Sequence, residues 1–137
     1  MNDSAVMNKS KELRNDPSVH YNCAQAVFIP FAIQKGLSFE QAAAIADNFG
    51  GGMRLGLTCG AITGGLMALG LYGVNSPRDA ALFIQMVSRN HNRMTSCREL
   101  LSSEVHEPSE KKPHCDRLVY EAVEAVETLL EERNISI

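Results

Sequence analysis

An uncharged, glycine-rich stretch between Leu55 and Asn75 constrains the fold of this chain more than any other feature. Its length is close to that of a membrane-spanning helix. Polar side chains at Thr58, Cys59 and Thr63 argue against a span, as do its six glycines: Gly56, Gly60, Gly64, Gly65, Gly70 and Gly73. We therefore predict a buried central helix at this stretch and no membrane span.

Small residues recur every four positions in this central helix, which we cap at Thr58 and continue to about Leu71. They are Gly60, Gly64 and Ala68. Residues at this spacing share one helix face, and each glycine inside a helix costs up to about 1 kcal/mol relative to alanine. Such glycines are tolerable where another backbone packs very close to that face. The second helix of the chain or a second copy in a homodimer would supply that backbone.

Helical periodicity also dominates the rest of the chain, without strand alternation or an internal repeat. Capping residues and breakers place the other helices at 4–15, 22–36, 38–49, 76–90, 96–101 and 114–133. We predict an all-α fold, a single compact helical bundle of about five to six helices with a glycine-rich central helix. Residues 1–137 would form one domain, in which 1–16 are a weakly docked first helix and 102–113 a polar linker.

The size and charge of the chain exclude several classes of protein. A length of 137 residues indicates one domain. The net charge of -3 argues against nucleic acid as a partner, because nucleic-acid binding needs a basic surface. The segment from Met1 to Pro17 has no apolar run and therefore does not read as a signal peptide. We expect a cytoplasmic protein, in which cysteines serve as metal ligands, catalytic groups or redox sensors more often than as structural disulfides.

Each of the four cysteines is predicted to lie in the first turn of a helix: Cys23, Cys59, Cys97 and Cys115. The start of a helix offers unpaired N–H groups and positive potential. Both favour the thiolate, which is the nucleophile and the metal ligand. The alternative is that the cysteines are small buried hydrophobic residues. We predict that the four cysteines are catalytic residues, metal ligands or both.

The cysteine spacing leaves two kinds of site open. No Cys-x-x-Cys occurs, so a thioredoxin motif and the common zinc-finger spacings are excluded. Four helix ends that meet in space could bind an iron–sulfur cluster or zinc. Without a metal, two adjacent thiols could form a reversible disulfide. His20 and His114, near two of the cysteines, are predicted to be solvent-exposed or capping groups, and His91 and His106 receive no role.

A glycine loop leads into the central helix, with Gly50, Gly52 and Gly56 around Arg54. The spacing does not match the dinucleotide fingerprint, and the segment before it is helical. Such a loop at a helix start can hold an anion, which makes Arg54, Gly60 and Gly64 candidate cofactor-binding residues. The alternative is a tight turn that lets Cys59 approach other backbone.

Several of these residues together resemble one known family. They are Asn22-Cys23-Ala24-Gln25-Ala26-Val27, Gly50-Gly51-Gly52, Cys59-Gly60-Ala61-Ile62-Thr63-Gly64, Cys97 with Glu99-Leu100-Leu101, and Cys115. The pattern resembles the redox-active proteins of the C_GCAxxG_C_C family, which implies a small helical domain with a thiol or metal function. A related domain occurs in split-Soret cytochromes, where the cysteines are associated with an iron–sulfur cluster. Because this chain has no Cys-x-x-Cys-His, the haem of those cytochromes does not carry over.

Three functions remain open from the sequence. The first is a cytosolic redox protein with a dithiol site, in which Cys59 is the most central cysteine and the partner is another redox protein. The second is a cysteine-ligated metal or iron–sulfur protein in electron transfer. The third is a non-enzymatic helical interaction module that binds a transporter or an oxidoreductase.

Overall fold

The computed structural model describes residues 2–137, and Met1 of the predicted domain lies outside the described residues. The helices are α1 (Ala5–Arg14), α2 (Cys23–Gln34), α3 (Phe39–Asp47), α4 (Gly60–Leu71), α5 (Pro77–Ser88), α6 (Cys97–Glu104) and α7 (Lys111–Glu132). A turn with left-handed backbone at Met53 and Arg54 spans Gly52–Gly56, and short 3₁₀ turns span Arg89–His91 and Pro108–Glu110. Over residues 2–137 the only β feature is an isolated bridge between Thr58 and Ser96. The all-α prediction is confirmed, and residues 2–137 form seven α-helices where five to six were expected.

The centre of the bundle is α2 packed along the glycine-rich α4. Helix α2 is buried around most of its circumference, and Phe31 is fully buried. A Cβ added at Gly64 would lie 2.7 Å from the carbonyl oxygen of Ala24, and one at Gly60 would lie 3.1 Å from the Ala24 nitrogen. The close neighbour that the small-residue face requires is therefore α2 of the same chain. Within residues 2–137 no helix combines the length and the apolar character that crossing a membrane requires.

Helix α7 closes one side of the bundle. Its apolar stripe, which includes Leu118, Val119 and Val126, is buried. The helix begins at Lys111, three residues before the expected start, and Pro113 occupies its third position. Proline is tolerated there because N–H groups in the first turn have no partner inside the helix. The segment between α6 and α7 is correspondingly shorter than the predicted linker.

Helix α1 lies across α2 and α7. Its few apolar side chains face inward, and Val6, Met7 and Leu13 are buried. At its last residue, the Arg14 Nε donates a 2.6 Å hydrogen bond to Asp116 of α7. The arginine thereby places a positive charge between the ends of three helices, where the cysteines lie.

Candidate functional site

All four cysteines line one cavity of about 640 Å³ at the end of the bundle where several helices begin. Cys23 is the first residue of α2 and Cys97 the first residue of α6, as predicted. Cys59 is the N-cap of α4, one position after the cap predicted at Thr58, and Cys115 is the fifth residue of α7. The structure thus brings the four cysteines together, three of them at the very start of a helix and Cys115 in the next turn.

Two backbone hydrogen bonds fix the position of Cys59 relative to Cys97. The Cys59 N–H donates to the Thr95 oxygen at 2.8 Å, and the Cys97 N–H donates to the Leu57 oxygen at 2.6 Å. They form the isolated bridge that joins the segments preceding α4 and α6. Because main-chain bonds hold both residues, substitution of either side chain leaves this part of the cavity wall in place.

The glycines near the cysteines provide space for the helix starts to converge. Gly52 has φ +65°, a conformation that glycine adopts readily, and an added Cβ there would lie 2.9 Å from the Cys97 Cβ. A Cβ at Gly60 would lie 3.4 Å from the Cys23 Cβ. These contacts favour the tight-turn alternative for the loop over an anion site.

The three candidate cofactor-binding residues have different surroundings. Gly60 lines the cavity. Gly64 packs one turn deeper against Ala24 of α2. The exposed Arg54 side chain instead donates from Nε to Asn48 at 3.1 Å and pairs with Asp47. A role in holding a ligand therefore remains a proposal for Gly60, and the contacts of the other two residues are structural.

Cys23 and Cys115 influence each other's ionisation. The neighbouring Cys23 thiol has the largest effect in lowering the pKa of Cys115. Hydrogen bonding to His114 Nδ1, 4.0 Å from the Cys115 sulfur, and the charge of Arg14 lower that pKa further, whereas burial opposes them. The neighbouring Cys115, together with burial, raises the pKa of Cys23. All four cysteines are free, so no disulfide joins this pair.

The other two cysteines are held as thiols. Burial raises the pKa of Cys59 to about 11, although the N–H groups of Ala61 and Ile62 act in the opposite direction. Burial, together with the nearby Cys115, also raises the pKa of Cys97. The expectation that a place at a helix start favours the thiolate therefore does not hold for these residues, because desolvation outweighs the helix N–H groups.

The cavity is lined by cationic side chains although the chain is acidic overall. They are Arg14, Arg98, Lys111 and Lys112. Among the described residues that line the cavity, none is aspartate or glutamate. Arg14 is the most enclosed of the four, with 3% of its side chain exposed and a 2.9 Å hydrogen bond from Nη1 to the Tyr21 oxygen. No sequence motif marks this feature, because the cations come from three separate helices.

A cluster of histidines and glutamates adjoins the cavity behind Cys115. His114 is 3% exposed, and its Nε2 lies 2.9 Å from Glu104, so the prediction that it is a surface or capping group is wrong. His91, to which the sequence assigned no role, is also 3% exposed. Its ring nitrogens lie 2.8 Å from Glu104 and 2.6 Å from Glu121. These residues are far apart along the chain and carry no motif, so only tertiary structure reveals them.

The cysteine sulfurs are not arranged around a single metal ion. A tetrahedral zinc ion with Zn–S bonds of about 2.3 Å holds its sulfurs about 3.8 Å apart. Within residues 2–137, no three cysteine sulfurs lie within 4.8 Å of one another. The donor set is suitable for a metal, but a single zinc ion does not fit the sulfurs as they stand.

Comparison with known proteins identifies the family. No curated protein and no solved structure matches this chain. A family model described as "Putative redox-active protein (C_GCAxxG_C_C)" matches residues 21–129, a range that contains all four cysteines. The match covers most of the chain and confirms the resemblance seen in the sequence. The chain therefore belongs to the C_GCAxxG_C_C family.

Proposed function

We propose that this protein is a thiol–disulfide redox protein whose reacting pair is Cys23 and Cys115. The observation that carries the proposal is that both thiols line one open cavity, where the Cys23 thiol, His114 and Arg14 lower the pKa of Cys115. Both residues are partly exposed, as is Cys97, whereas Cys59 is buried. Among the three exposed thiols, Cys115 is the one whose pKa is lowered, and Cys23 has the largest effect in lowering it, which favours these two as the reacting pair.

The reaction follows from thiol–disulfide exchange. The Cys115 thiolate attacks one sulfur of a partner disulfide, the partner S–S bond breaks, and the displaced partner sulfur takes up a proton. Cys23 then loses its proton to water and attacks the Cys115 sulfur, which forms the Cys23–Cys115 bond and releases the second partner sulfur as a thiol. Two electrons pass from the protein to the partner, and exchange with a second dithiol reverses the reaction and restores the reduced pair.

The surroundings of the pair indicate its partner and its compartment. The exposed Lys111 and Lys112 lie at the cavity, where they would attract a protein with acidic residues around its disulfide. Cys59 and Cys97 line the same cavity and would remain thiols when the Cys23–Cys115 bond forms. We infer a reducing compartment such as the cytoplasm, where cysteines that lie close together remain reduced.

The proposal is tested by counting thiols after equilibration with glutathione buffers of increasing oxidising strength. We expect the count to fall from four to two while the far-ultraviolet circular dichroism stays constant. Cys23→Ser and Cys115→Ser should each abolish the intramolecular step, whereas Cys97→Ser, a matched control at another partly exposed cysteine, should retain it. A count that stays at four, or the same fall in Cys115→Ser, would overturn the proposal.

A second function is favoured by the charge of the cavity. An iron–sulfur cluster with four thiolate ligands carries net negative charge, which Arg14 and the other cations that line the cavity would balance. Cys23, Cys59, Cys97 and Cys115 would hold the cluster, which would supply one-electron transfer. The four sulfurs would bind different iron atoms of the cluster, so they would lie farther apart than the sulfurs around a single metal ion.

Anaerobic purification distinguishes the two functions. A cluster predicts bound iron, acid-labile sulfide and visible absorbance, and its loss should lower thermal stability because metal binding is coupled to folding. Protein that contains neither iron nor sulfide and keeps its full thermal stability would reject the cluster and leave the dithiol function.

A further inference from the structure

Three side chains from three elements converge on one point beside the cysteine cavity. His91 belongs to the 3₁₀ turn after α5, Glu104 ends α6, and His114 lies in the first part of α7. One ligand atom from each lies within 4.8 Å of the other two. The Glu104 Oε1 is 2.8 Å from His91 Nδ1 and 2.9 Å from His114 Nε2. We call these residues the His91–Glu104–His114 cluster.

The outer nitrogen of each histidine in the cluster already has a partner. His91 Nε2 lies 2.6 Å from the Glu121 carboxylate, and His114 Nδ1 lies 4.0 Å from the Cys115 sulfur. Histidines that bind metals nearly always use their other ring nitrogen in this way, most often towards a carboxylate. These partners fix the orientation of both rings and direct one nitrogen of each towards Glu104.

The charge of the cluster also favours a cation. Both histidine rings are 3% exposed, and the side chains of Glu104 and Glu121 are 21% and 26% exposed. In residues 2–137 the ion pairs of these two carboxylates are with His91 and His114, and none involves lysine or arginine. Two carboxylates in an enclosed place with only imidazole partners form a site that a divalent ion would neutralise.

We propose that the His91–Glu104–His114 cluster is a binding site for a divalent first-row transition metal, separate from the cysteines. Two histidines and one carboxylate are a ligand set for zinc or ferrous iron, and three protein ligands leave a position open for water or a substrate. Metal–ligand bonds of about 2.1 Å separate tetrahedral ligands by about 3.4 Å. The Glu104 Oε1 would therefore move about half an ångström away from each ring nitrogen, which rotation of its side chain provides. His114 also lines the cavity, so the metal would lie directly behind Cys115.

Cobalt(II) is the probe for this site, because its visible spectrum distinguishes nitrogen and oxygen ligands from sulfur. We expect the reduced full-length protein to bind one equivalent, with weak d–d bands and no intense thiolate charge-transfer band, and zinc to displace it. A variant with all four cysteines changed to serine should still bind one equivalent of cobalt, up to about 10-fold more weakly because the partner of His114 Nδ1 changes. No binding by this variant would overturn the site.

A second test measures cobalt binding by single glutamate substitutions in the wild-type protein, so it does not depend on the four-serine variant. Glu104→Gln keeps the shape and a hydrogen-bonding oxygen but removes the anionic ligand, and should weaken cobalt binding at least about 100-fold. Glu121→Gln, which alters only the partner of His91, should weaken it about 10- to 100-fold. Glu99→Gln, an exposed carboxylate on the same helix, is the matched control and should bind as wild type. Equal affinity in Glu104→Gln and Glu99→Gln would show that the cluster is a metal-free hydrogen-bond network.

This outcome is independent of the proposed redox function. Formation of the Cys23–Cys115 bond is measured by the thiol count, which does not depend on cobalt. Either result can fail while the other stands.

Discussion

Cys59 and Cys115 line the same cavity but lie in opposite surroundings. Cys59 caps α4 in a wall of backbone and apolar side chains, and burial raises its pKa to about 11. Cys115 lies a full turn inside α7, yet its pKa is lowered by the Cys23 thiol, by His114 and by the charge of Arg14. The residue nearer to a helix start is therefore the poorer thiolate. Neighbouring donors and charges, more than a helix start, therefore decide the ionisation of these thiols.

The largest expected difference between the two cysteines is in their rate of alkylation. The rate follows the thiolate fraction, so Cys115 should keep reacting as the pH falls below 8, whereas Cys59 should slow tenfold for each unit below 11. With the added protection of burial, Cys115 should react at least about 100-fold faster than Cys59 at pH 7. Iodoacetamide labelling followed by peptide mass spectrometry measures both rates in one sample. Faster labelling of Cys59 than of Cys115 would contradict the predicted order of their thiolate fractions.

Arg14 should contribute strongly to the stability of the protein and to the low pKa of Cys115. Its replacement by methionine removes the hydrogen bonds to Asp116 and to the Tyr21 oxygen and leaves Asp116 with only the exposed Lys112 as a partner. We expect a loss of about 1–3 kcal/mol in the free energy of unfolding. The matched variant is Lys9→Met on the same helix, whose partner Glu12 is 70% exposed, and it should change stability by no more than about 0.5 kcal/mol. Urea denaturation measures both values. Alkylation of Cys115 at pH 6 should also slow in Arg14→Met, because the arginine charge lowers the pKa of this thiol. Equal stability of the two variants would contradict the role of Arg14.

The helix starts near these cysteines were predictable from the sequence where the signal is local. Asn22, Ser38 and Ser76 cap α2, α3 and α5 as expected, because a capping side chain and the N–H that it binds are only a few residues apart. The starting positions of Cys23 and Cys97 follow from the same kind of signal. The all-α fold likewise follows from apolar periodicity.

What the sequence did not reveal depends on contacts between distant residues. Burial by other helices sets the pKa of Cys59, and the pKa of Cys115 depends on Cys23 and Arg14, both about a hundred residues away in the chain. The start of α7 was misplaced because Pro113 reads as a helix breaker unless its position within the first turn is known. The cluster around His91 has no spacing that a motif would detect.

Substitution of two glycines in α4 tests how closely this helix must pack against α2. Gly64→Ala adds a Cβ 2.7 Å from the Ala24 oxygen, and the resulting displacement of α4 from α2 should cost about 1–3 kcal/mol. Gly70→Ala in the same helix meets no atom within 4 Å and should stabilise the protein by up to about 1 kcal/mol. Thermal and urea denaturation of the two variants should therefore shift in opposite directions. A neutral Gly64→Ala would show that α4 does not need its close approach to α2.

The smallest expected effect concerns the start of α6. The Ser96 hydroxyl accepts a 3.4 Å hydrogen bond from the Glu99 N–H and donates at 3.1 Å to the Gly56 oxygen. Ser96→Ala should cost about 1 kcal/mol and speed the alkylation of Cys97 as this wall loosens. Ser102→Ala, an exposed serine on the same helix, should stay within about 0.5 kcal/mol of wild type. Unaltered stability and Cys97 labelling in Ser96→Ala would show that the backbone bridge alone holds the wall.

Peptide mapping of the mildly oxidised protein tests the proposed redox pair most directly. The protein is equilibrated with an oxidising glutathione buffer, the remaining thiols are blocked, and the disulfide-linked peptides are identified by mass spectrometry. We predict one intramolecular link, between Cys23 and Cys115, with Cys59 and Cys97 recovered as blocked thiols. A link between Cys59 and Cys97, or the recovery of all four cysteines as thiols, would contradict the proposal.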